Sequence, residues 1–345
     1  MQDTTTWALR ALCAASLFVV GISSADPIQF VTIGDPGNAA DPANPSPPNP
    51  VPAKHYGAVN YSYQIGKYEI TEQQYVDFLN AVGKTDTHSL FSFGMFPSFG
   101  GSDQPMFSHI TQSGSAGNLS YSVPANYANL PMNYLTSASS FRYANWLTNG
   151  QPTGLQTAAT TEAGSYDLSG LDASTQTIDQ VTRSANAKYV VPTTDEWYKA
   201  AYYNPATHSY FLYATGTNIS PGFSLPDVNG NNANENVAAG SADPTLKRTP
   251  IGSYVNTHSP YGVFDMDGNV YEMTESLING QAFNYMGGGY NGNLNFQSLE
   301  VYFQPFIVGG GSPMEGLRIA LVPEPASMAV LCLTGLGFMT RRSRR

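Results

Sequence analysis

The stretch Tyr261–Glu275 constrains the fold of this chain more than any other segment. It places four carboxylates and an Asn amide around a glycine turn, with apolar residues interspersed among them. Buried apolar neighbours would hold the polar oxygens in place, as in a hard-cation site or in a hydrogen-bonded structural corner. For a cation site, the sequence predicts Asp265, Asp267, Asn269 and Glu272 as ligands. The alternative is a structural turn in which Asn269 and Asp265 hydrogen-bond backbone groups.

A second stretch, residues 227–236, repeats the Asp-x-Asn-Gly-Asn order. In both stretches the glycine is the fourth residue of the loop, whereas an EF-hand requires a glycine at the sixth position. Neither stretch is therefore an EF-hand. Asn234 and Asn236 are the residues predicted to ligate a second cation.

The composition predicts a loop-rich mixed fold. Of 345 residues, 41% are hydrophobic and only 12% are charged, and the chain contains 33 Gly, 24 Pro and 22 Tyr. Such a composition favours many turns and short aromatic strands over long amphipathic helices.

The N-terminus has the features of a secretory signal. An apolar run at residues 11–22 follows Arg10, and the small residues Ser23–Ala25 precede Asp26. This order predicts a signal peptide over residues 1–25. A buried N-terminal helix is the alternative.

The C-terminus combines three short features. Pro323, Glu324 and Pro325 precede an apolar run at 326–340, and four arginines follow within residues 341–345. Such a run, followed by arginines that stay on the cytoplasmic side, predicts a transmembrane segment over 326–340. The tail at 323–345 resembles the PEP-CTERM sorting signal. That resemblance implies anchoring in the inner membrane, processing by an exosortase at the Pro-Glu-Pro motif, and delivery to the envelope or to an exopolysaccharide matrix. An ordinary tail anchor is the alternative.

The two cysteines, Cys13 and Cys332, both lie in these terminal segments, so the region 26–322 contains none. Disulfides and thiolate metal sites are therefore excluded from it. The same region keeps ten basic and 23 acidic residues, a net charge near −13. This charge argues against nucleic acid as a partner and is compatible with divalent cations.

The region 26–322 begins with a predicted strand at 28–33, and a second predicted strand spans 59–68. Between them, residues 34–52 are too rich in Pro and Asn for regular structure and predict a long loop. Asp35 and Asp41 are predicted to be solvated turn residues in this loop. Cation ligation is the alternative for both.

Two helices carry start signals. Thr71 and Gln74 predict a capping box at the start of a helix. The apolar stripe of this helix, spaced i, i+3, i+4 and i+7, consists of Tyr75, Phe78, Leu79 and Val82. Gly83 predicts that the helix ends in a left-handed turn. Thr193 and Glu196 predict a second capping box.

Several segments, taken in chain order, resemble the formylglycine-generating enzyme or sulfatase-modifying factor family. They are Ile65–Leu79, Pro131–Leu147 (in a helix predicted to end at Gly150), Val191–Ala201, Ile251–Tyr254, Tyr261–Glu275, Gly287–Tyr290 and Gly316–Arg318. The resemblance covers residues 28–321, with insertions at 84–128 and 152–186, and identifies 26–322 as one such domain. It implies an irregular α+β fold akin to C-type lectins, with few short helices and twisted antiparallel sheets. It also implies calcium bound through Asn269 and Glu272.

The chain departs from the family at the redox centre. Active members bind copper through two cysteines that follow a Gly-Gly-Ser-Tyr segment, whereas Gly289 stands at the serine position and Gly292 and Gln297 stand near the cysteine positions. Copper is therefore not expected, and no catalytic residue is assigned. The five histidines are scattered and show no iron-triad spacing.

Two functions remain open. The favoured one is a non-catalytic exported domain that binds calcium and a glycan or protein ligand, because a fold without the reacting groups does not carry the reaction. The alternative is an oxidoreductase of the formylglycine-generating or non-haem iron type. The aromatic run Phe91–Phe99 is interpreted either as a sugar-stacking surface or as core beneath a loop.

Overall fold

The computed structural model describes residues 27–43, 55–96, 108–171, 178, 181–222, 226, 230–234, 248–278, 282–290, 311 and 314–323. The predicted signal peptide, Asn236, Glu324, Pro325 and the apolar run at 326–340 lie outside these ranges. Within the described ranges, no helix has the length and apolar character needed to cross a membrane.

Three helices each begin with a capping box: α1 (Glu72–Val82), α2 (Ser137–Thr148) and α3 (Thr194–Tyr202). The boxes at α1 and α3 confirm the two that the sequence predicts. The box at α2 joins Thr136 to Ser139, a serine at the position where the usual signature has Glu or Gln. Helix α2 ends at Thr148, two residues before the predicted end at Gly150.

Helix α1 ends at Gly83, but not by the predicted left-handed turn. Gly83 has φ −95°, so that prediction is wrong. A Cβ at this position would lie 2.6 Å from the carbonyl oxygen of Leu79, which is closer than real Cβ contacts come. Close approach of the backbone, rather than a positive φ, therefore selects glycine here.

The apolar stripe of α1 is buried, as predicted, and packs on α2. Phe78 of α1 has its ring centroid 5.3 Å from that of Tyr143 and 5.2 Å from that of Trp146. Tyr75 approaches Tyr143 at 6.0 Å. Aromatic contacts at these separations add to the burial energy of the core.

Eleven short strands are present in the described residues. In chain order they are β1 (Phe30–Ile33), β2 (Tyr63–Gly66), β3 (Thr111–Ser113), β4 (Ser120–Ser122), β5 (Tyr189–Val190), β6 (Tyr203–Asn204), β7 (Ser209–Tyr210), β8 (Tyr271–Ile278), β9 (Ala282–Met286), β10 (Glu315–Gly316) and β11 (Ala320–Leu321). The predicted strands at 28–33 and 59–68 are thus present in shorter form. The result is the irregular α+β architecture that the sequence predicts.

The strands form two main sheets. The first has the order β1-β2-β11-β5 and is antiparallel throughout. In the second, β8 and β9 form a hairpin with an irregularity between Met273 and Leu277, and β10 lies parallel to β8. Strand β8 starts directly after the carboxylate-rich turn, and β10 is followed by Arg318, so this sheet brings the two segments together. β3–β4 and β6–β7 form small separate hairpins.

The described part of the Pro/Asn-rich loop, residues 34–43, has no regular structure, as predicted. It is nevertheless fixed by tyrosine hydroxyls from α3 and the β6–β7 hairpin. The pairs are Asp35 with Tyr203, Asn38 with Tyr210 at 2.7 Å, and Asp41 with Tyr198 at 2.8 Å. Asp41 is only 3% exposed, so its prediction as a solvated turn residue is wrong.

The aromatic run after residue 90 is core where the structure describes its side chains. Phe91 and Met95 are buried, and the ring of Phe91 packs on those of Phe96 and Tyr121 with centroids 4.7 and 5.4 Å apart. These contacts correspond to the interpretation as core beneath a loop. Phe99 lies outside the described residues.

Candidate functional site

The turn that leads into β8 has a left-handed backbone at four positions. Gly262, Asp265, Gly268 and Asn269 have φ values of 84°, 57°, 91° and 64°. Asp and Asn accept this conformation more readily than other non-glycine residues because their short polar side chains bond locally. The backbone conformation, as well as packing, therefore sets the orientation of the polar side chains of the turn.

Asn269 joins four segments of the chain. Its Oδ1 accepts from the backbone N–H of Thr249 at 3.0 Å and from Nδ2 of Asn234 at 3.2 Å. Its backbone N–H donates to the carbonyl of Asn234 at 2.8 Å, and its carbonyl accepts from the N–H of Tyr290 at 2.9 Å. Two predicted cation ligands, Asn269 and Asn234, are thus hydrogen-bonded to each other. This geometry is that of the structural turn.

Glu272 is fully buried and paired with Arg318. Its Oε1 accepts from Nη2 of Arg318 at 2.5 Å, and its Oε2 accepts from Nε of Arg318 and from the indole N–H of Trp197, each at 2.7 Å. Arg318 also donates to the carbonyls of Gly66 and Phe264, both at 2.9 Å. Both oxygens of Glu272 are therefore engaged in a two-pronged charged pair. A cation at Glu272 would have to share them with the guanidinium.

Two further carboxyl groups lie close to this pair. Asp265 accepts from the N–H of Gly252 at 2.6 Å, and burial raises the pKa of Asp265 to about 6. Glu69 is 1% exposed, and burial followed by the charge of Asp265 raises its pKa well above the ordinary range. The charge of the Arg318 guanidinium interacts with the carboxyls of Glu272, Glu69 and Asp265. Burial therefore disfavours negative charge on both Glu69 and Asp265.

Asp267 faces a different environment. The backbone amides of Ala214 and Thr215 bond its carboxyl, whereas its buried Oδ2 has no hydrogen-bond partner among the described residues. Burial raises the pKa of Asp267 to about 7. Beside it is a cavity of about 10 Å³, which Thr215, Asn232 and Asp265 also line. A cavity of this size has room for roughly one water-sized group.

The predicted ligands therefore separate into two sets. Asn234, Asn269 and Glu272 are used in bonds within the protein, whereas Asp265 and Asp267 line the small cavity. Within the described ranges, no three acidic, imidazole or thiol side chains converge as a metal cluster would require. Any cation at Asp265 and Asp267 would need amide, hydroxyl or carbonyl oxygens to complete its shell, as calcium accepts.

The histidines occupy separate places, in agreement with their scattered spacing. The nearest polar partners are the carbonyl of Asp41 for His55, Glu162 for His88, Glu72 for His109, Asp35 for His208 and the carbonyl of Ser259 for His258. No two histidines share a partner, so the geometry offers no imidazole cluster.

Gly289, at the serine position of the family's Gly-Gly-Ser-Tyr segment, is closely packed. A Cβ at Gly289 would lie 3.0 Å from the ring of Tyr271 and 3.7 Å from Cβ of Met314. The next residue, Tyr290, is buried, and its hydroxyl has no hydrogen-bond partner in the part of the chain that the structure describes. Burial raises the pKa of Tyr290 to about 12. Gly292 and Gln297 lie outside the described residues.

Sequence reasoning missed the partners that hold the turn, namely Arg318, Trp197 and Glu69. Arg318 and Trp197 belong to segments that carry the family resemblance, but no periodicity links them to Glu272, which is 46 residues from Arg318 and 75 from Trp197. The one usable signal was charge, because a buried carboxylate requires a cation.

Comparisons with known proteins give two family matches. A model described as the sulfatase-modifying factor enzyme 1-like domain matches residues 30–320, and a PEP-CTERM protein-sorting motif matches residues 321–345. No curated protein matches the chain.

Similar solved structures include three at low identity. CarF is 16% identical, with 86% of this chain and 99% of that chain covered and a TM-score of 0.47. Treponema denticola variable protein 1 is 15% identical, with coverages of 85% and 95% and a TM-score of 0.47. PvdO from Pseudomonas aeruginosa is 15% identical, with coverages of 86% and 92% and a TM-score of 0.44.

Proposed function

Because the chain belongs to the sulfatase-modifying factor enzyme 1-like family and ends in a PEP-CTERM sorting motif, we propose that it is an exported binding protein without the family's oxidation chemistry. The sorting motif indicates processing at the membrane by an exosortase-type enzyme and export to the cell envelope. The finer statements, namely a non-catalytic domain, a glycan or protein ligand, calcium, and residence in an exopolysaccharide matrix, belong to the proposal.

The replacement of the family's motif residues carries the proposal. A Cβ at Gly289 would lie 3.0 Å from the ring of Tyr271, so a serine there would require this ring to shift by a few tenths of an ångström. The sequence also has no cysteine between Cys13 and Cys332. The groups that bind copper and react with a thiol in active members are therefore replaced, and the family fold alone does not supply the activity.

Calcium enters the proposal through Asp267 and Asp265. Asp267 has a buried oxygen without a donor, beside a cavity that Asp265 and Thr215 share. Hard oxygen donors of this kind suit calcium. Asn269 and Glu272 fit the ion less well because their side-chain oxygens accept hydrogen bonds within the protein. When bound, calcium would neutralise the two carboxylates and connect the turn to the segment around residue 215.

The decisive experiment measures metal content and oxygen use. Full-length protein is purified, its metals are quantified, and oxygen consumption is followed with a cysteine-containing peptide as substrate. We expect neither stoichiometric copper or iron nor thiol-dependent oxygen consumption. Stoichiometric copper or iron together with oxygen uptake would establish the oxidoreductase alternative and reject the proposal.

A melting experiment tests the calcium part. We expect the melting temperature to fall when a chelator removes calcium, because an ion bound to the folded state stabilises it by mass action. Asp267→Asn should abolish this difference, whereas the exposed control Asp167→Asn should retain it. An equal melting temperature with and without chelator in the unmodified protein would reject structural calcium.

A further inference from the structure

A cavity of about 460 Å³ lies between the start of β1, the first turn of α1 and the loop at 123–129. Its volume is within the range of small-molecule sites. Three features fix its walls: the capping box of α1, the pairing of β1 with β2, and a 2.9 Å bond from the N–H of Ile251 to the carbonyl of Asn129. A cavity with fixed walls binds its ligand at a smaller entropic cost.

Free amide groups line this cavity. Gln29 and Asn129 are exposed, and their side chains make no hydrogen bond within the part of the chain that the structure describes. Gln73 donates its Nε2 to Asp77 at 2.9 Å, which leaves its carbonyl oxygen available. An amide presents both donors and an acceptor. Together these groups match a ligand rich in hydroxyls, since each hydroxyl also donates and accepts.

The charge of the wall disfavours an anionic ligand. Glu69 is the only acidic or basic side chain among the described residues that line the cavity. Its Oε1 is buried and has no hydrogen-bond partner within the described residues. This oxygen can accept a hydrogen bond from a ligand hydroxyl. A phosphate, sulfate or carboxylate ligand would find no cation on this wall.

Tyr68 supplies an aromatic surface. It is half-buried and packs on Phe264 with ring centroids 5.4 Å apart. An aromatic ring offers an apolar body beside polar partners, and the C–H face of a sugar ring needs such a surface. We propose that this cavity binds a neutral saccharide unit through Gln29, Asn129, Glu69 and Tyr68. This inference rests on the proposed function as a binding protein and specifies its ligand class and site.

The test uses isothermal titration of the full-length protein with cellotriose and maltotriose as neutral probes and trigalacturonic acid as the anionic probe. We expect at least one neutral trisaccharide to bind and the anionic probe not to bind. The double variant Gln29→Ala/Asn129→Ala should weaken binding about tenfold, because two ligand hydrogen bonds are lost. Its melting temperature should not change, because neither side chain bonds within the described structure.

Asn60→Ala is the matched control, since Asn60 is an exposed amide that does not line the cavity. It should bind as the unmodified protein does. The inference fails if no neutral trisaccharide binds, if the double variant binds normally, or if the only ligand found is a protein. None of these outcomes affects the proposed function, which the copper and oxygen measurements decide separately.

Discussion

Arg318 and Lys199 are both completely buried, yet their surroundings differ in one respect. The carboxylate of Glu272 accepts from Nε and Nη2 of Arg318, the carbonyl of Gly66 accepts from Nη1, and the carbonyl of Phe264 also accepts from Nη2. Lys199 lies beneath the Pro/Asn-rich loop, and its hydrogen bond in the described structure goes from Nζ to the carbonyl of Asp35 at 2.7 Å. Arg318 is hydrogen-bonded to a buried counter-charge, whereas the hydrogen bond of Lys199 in the described structure goes to an uncharged carbonyl.

The pKa values follow this difference. Burial opposes the charge of Arg318, but the Glu272 carboxylate outweighs it and raises the pKa of Arg318. Burial lowers the pKa of Lys199 to about 8, and the Asp35 carboxylate offsets it only in part. Arg318 and Glu272 therefore form a charged pair in the core. The loop at 34–43 is bonded instead to Lys199, whose lowered pKa of about 8 makes its ammonium group easier to deprotonate.

Removal of the paired cation should have the largest effect. We expect Arg318→Met to lower the free energy of unfolding by about 3–5 kcal/mol, because Glu272 is left buried without a counter-charge. Urea denaturation measures the change. A loss below about 1 kcal/mol would mean that the pair contributes little and that the contrast with Lys199 is false.

Removal of both partners should cost less than removal of one. The double variant Glu272→Met/Arg318→Met leaves no unpaired charge, so we expect it to recover about 1–4 kcal/mol of the loss in Arg318→Met. The same denaturation series gives the coupling energy. Additive losses would show that Arg318 acts through its bonds to the carbonyls of Gly66 and Phe264 rather than through Glu272.

The stability of the loop at 34–43 should depend more on tyrosine hydroxyl groups than on the charge of Lys199. Tyr198→Phe removes the 2.8 Å bond to buried Asp41, and we expect a loss of about 1–2 kcal/mol. No loss in Tyr198→Phe would show that packing alone orders residues 34–43.

The smallest effect is expected for Lys199→Met. At pH 7 the free energy of unfolding should change by less than about 1 kcal/mol, because replacing a buried charge with an apolar side chain is often neutral. The folded pKa of about 8 lies below the ordinary value of 10.5, so the charge is disfavoured in the folded protein. The unmodified protein should therefore gain stability relative to the variant as the pH rises above 8.

Denaturation at pH 6.5, 8 and 9.5 for both proteins measures this trend. A difference between them that stays constant across the three pH values would show that Lys199 keeps an ordinary pKa, and the comparison with Arg318 would lose its electrostatic basis.

Local patterns in the sequence predicted local structure well. The capping boxes of α1 and α3 and the buried stripe of α1 depend on residues three or four positions apart, so spacing alone reveals them. The box of α2 escaped prediction because Ser139 replaces the usual Glu or Gln, although its hydroxyl makes the same bond. Gly83 was placed correctly but for the wrong reason, since a contact with Leu79 rather than φ requires it.

The candidate site depends on long-range contacts, which spacing does not reveal. The structural role of Asn269 was one of two predicted alternatives, but its bonds to Asn234, Thr249 and Tyr290 come from three distant segments. Asp41 was predicted to be solvated because its neighbours are turn residues, and a tyrosine 157 positions away buries it. The calcium ligands remain a prediction, and Asn236 lies outside the described residues.

The strand order of the first sheet links folding to export. β11, the last strand within the described residues, lies between β2 and β5, and one residue, Val322, separates it from Pro323 of the sorting motif. Four strands therefore cannot close into one sheet until the chain as far as Leu321 is available. In a membrane-anchored form of the protein, the tether would begin beside an interior strand that is hydrogen-bonded on both edges.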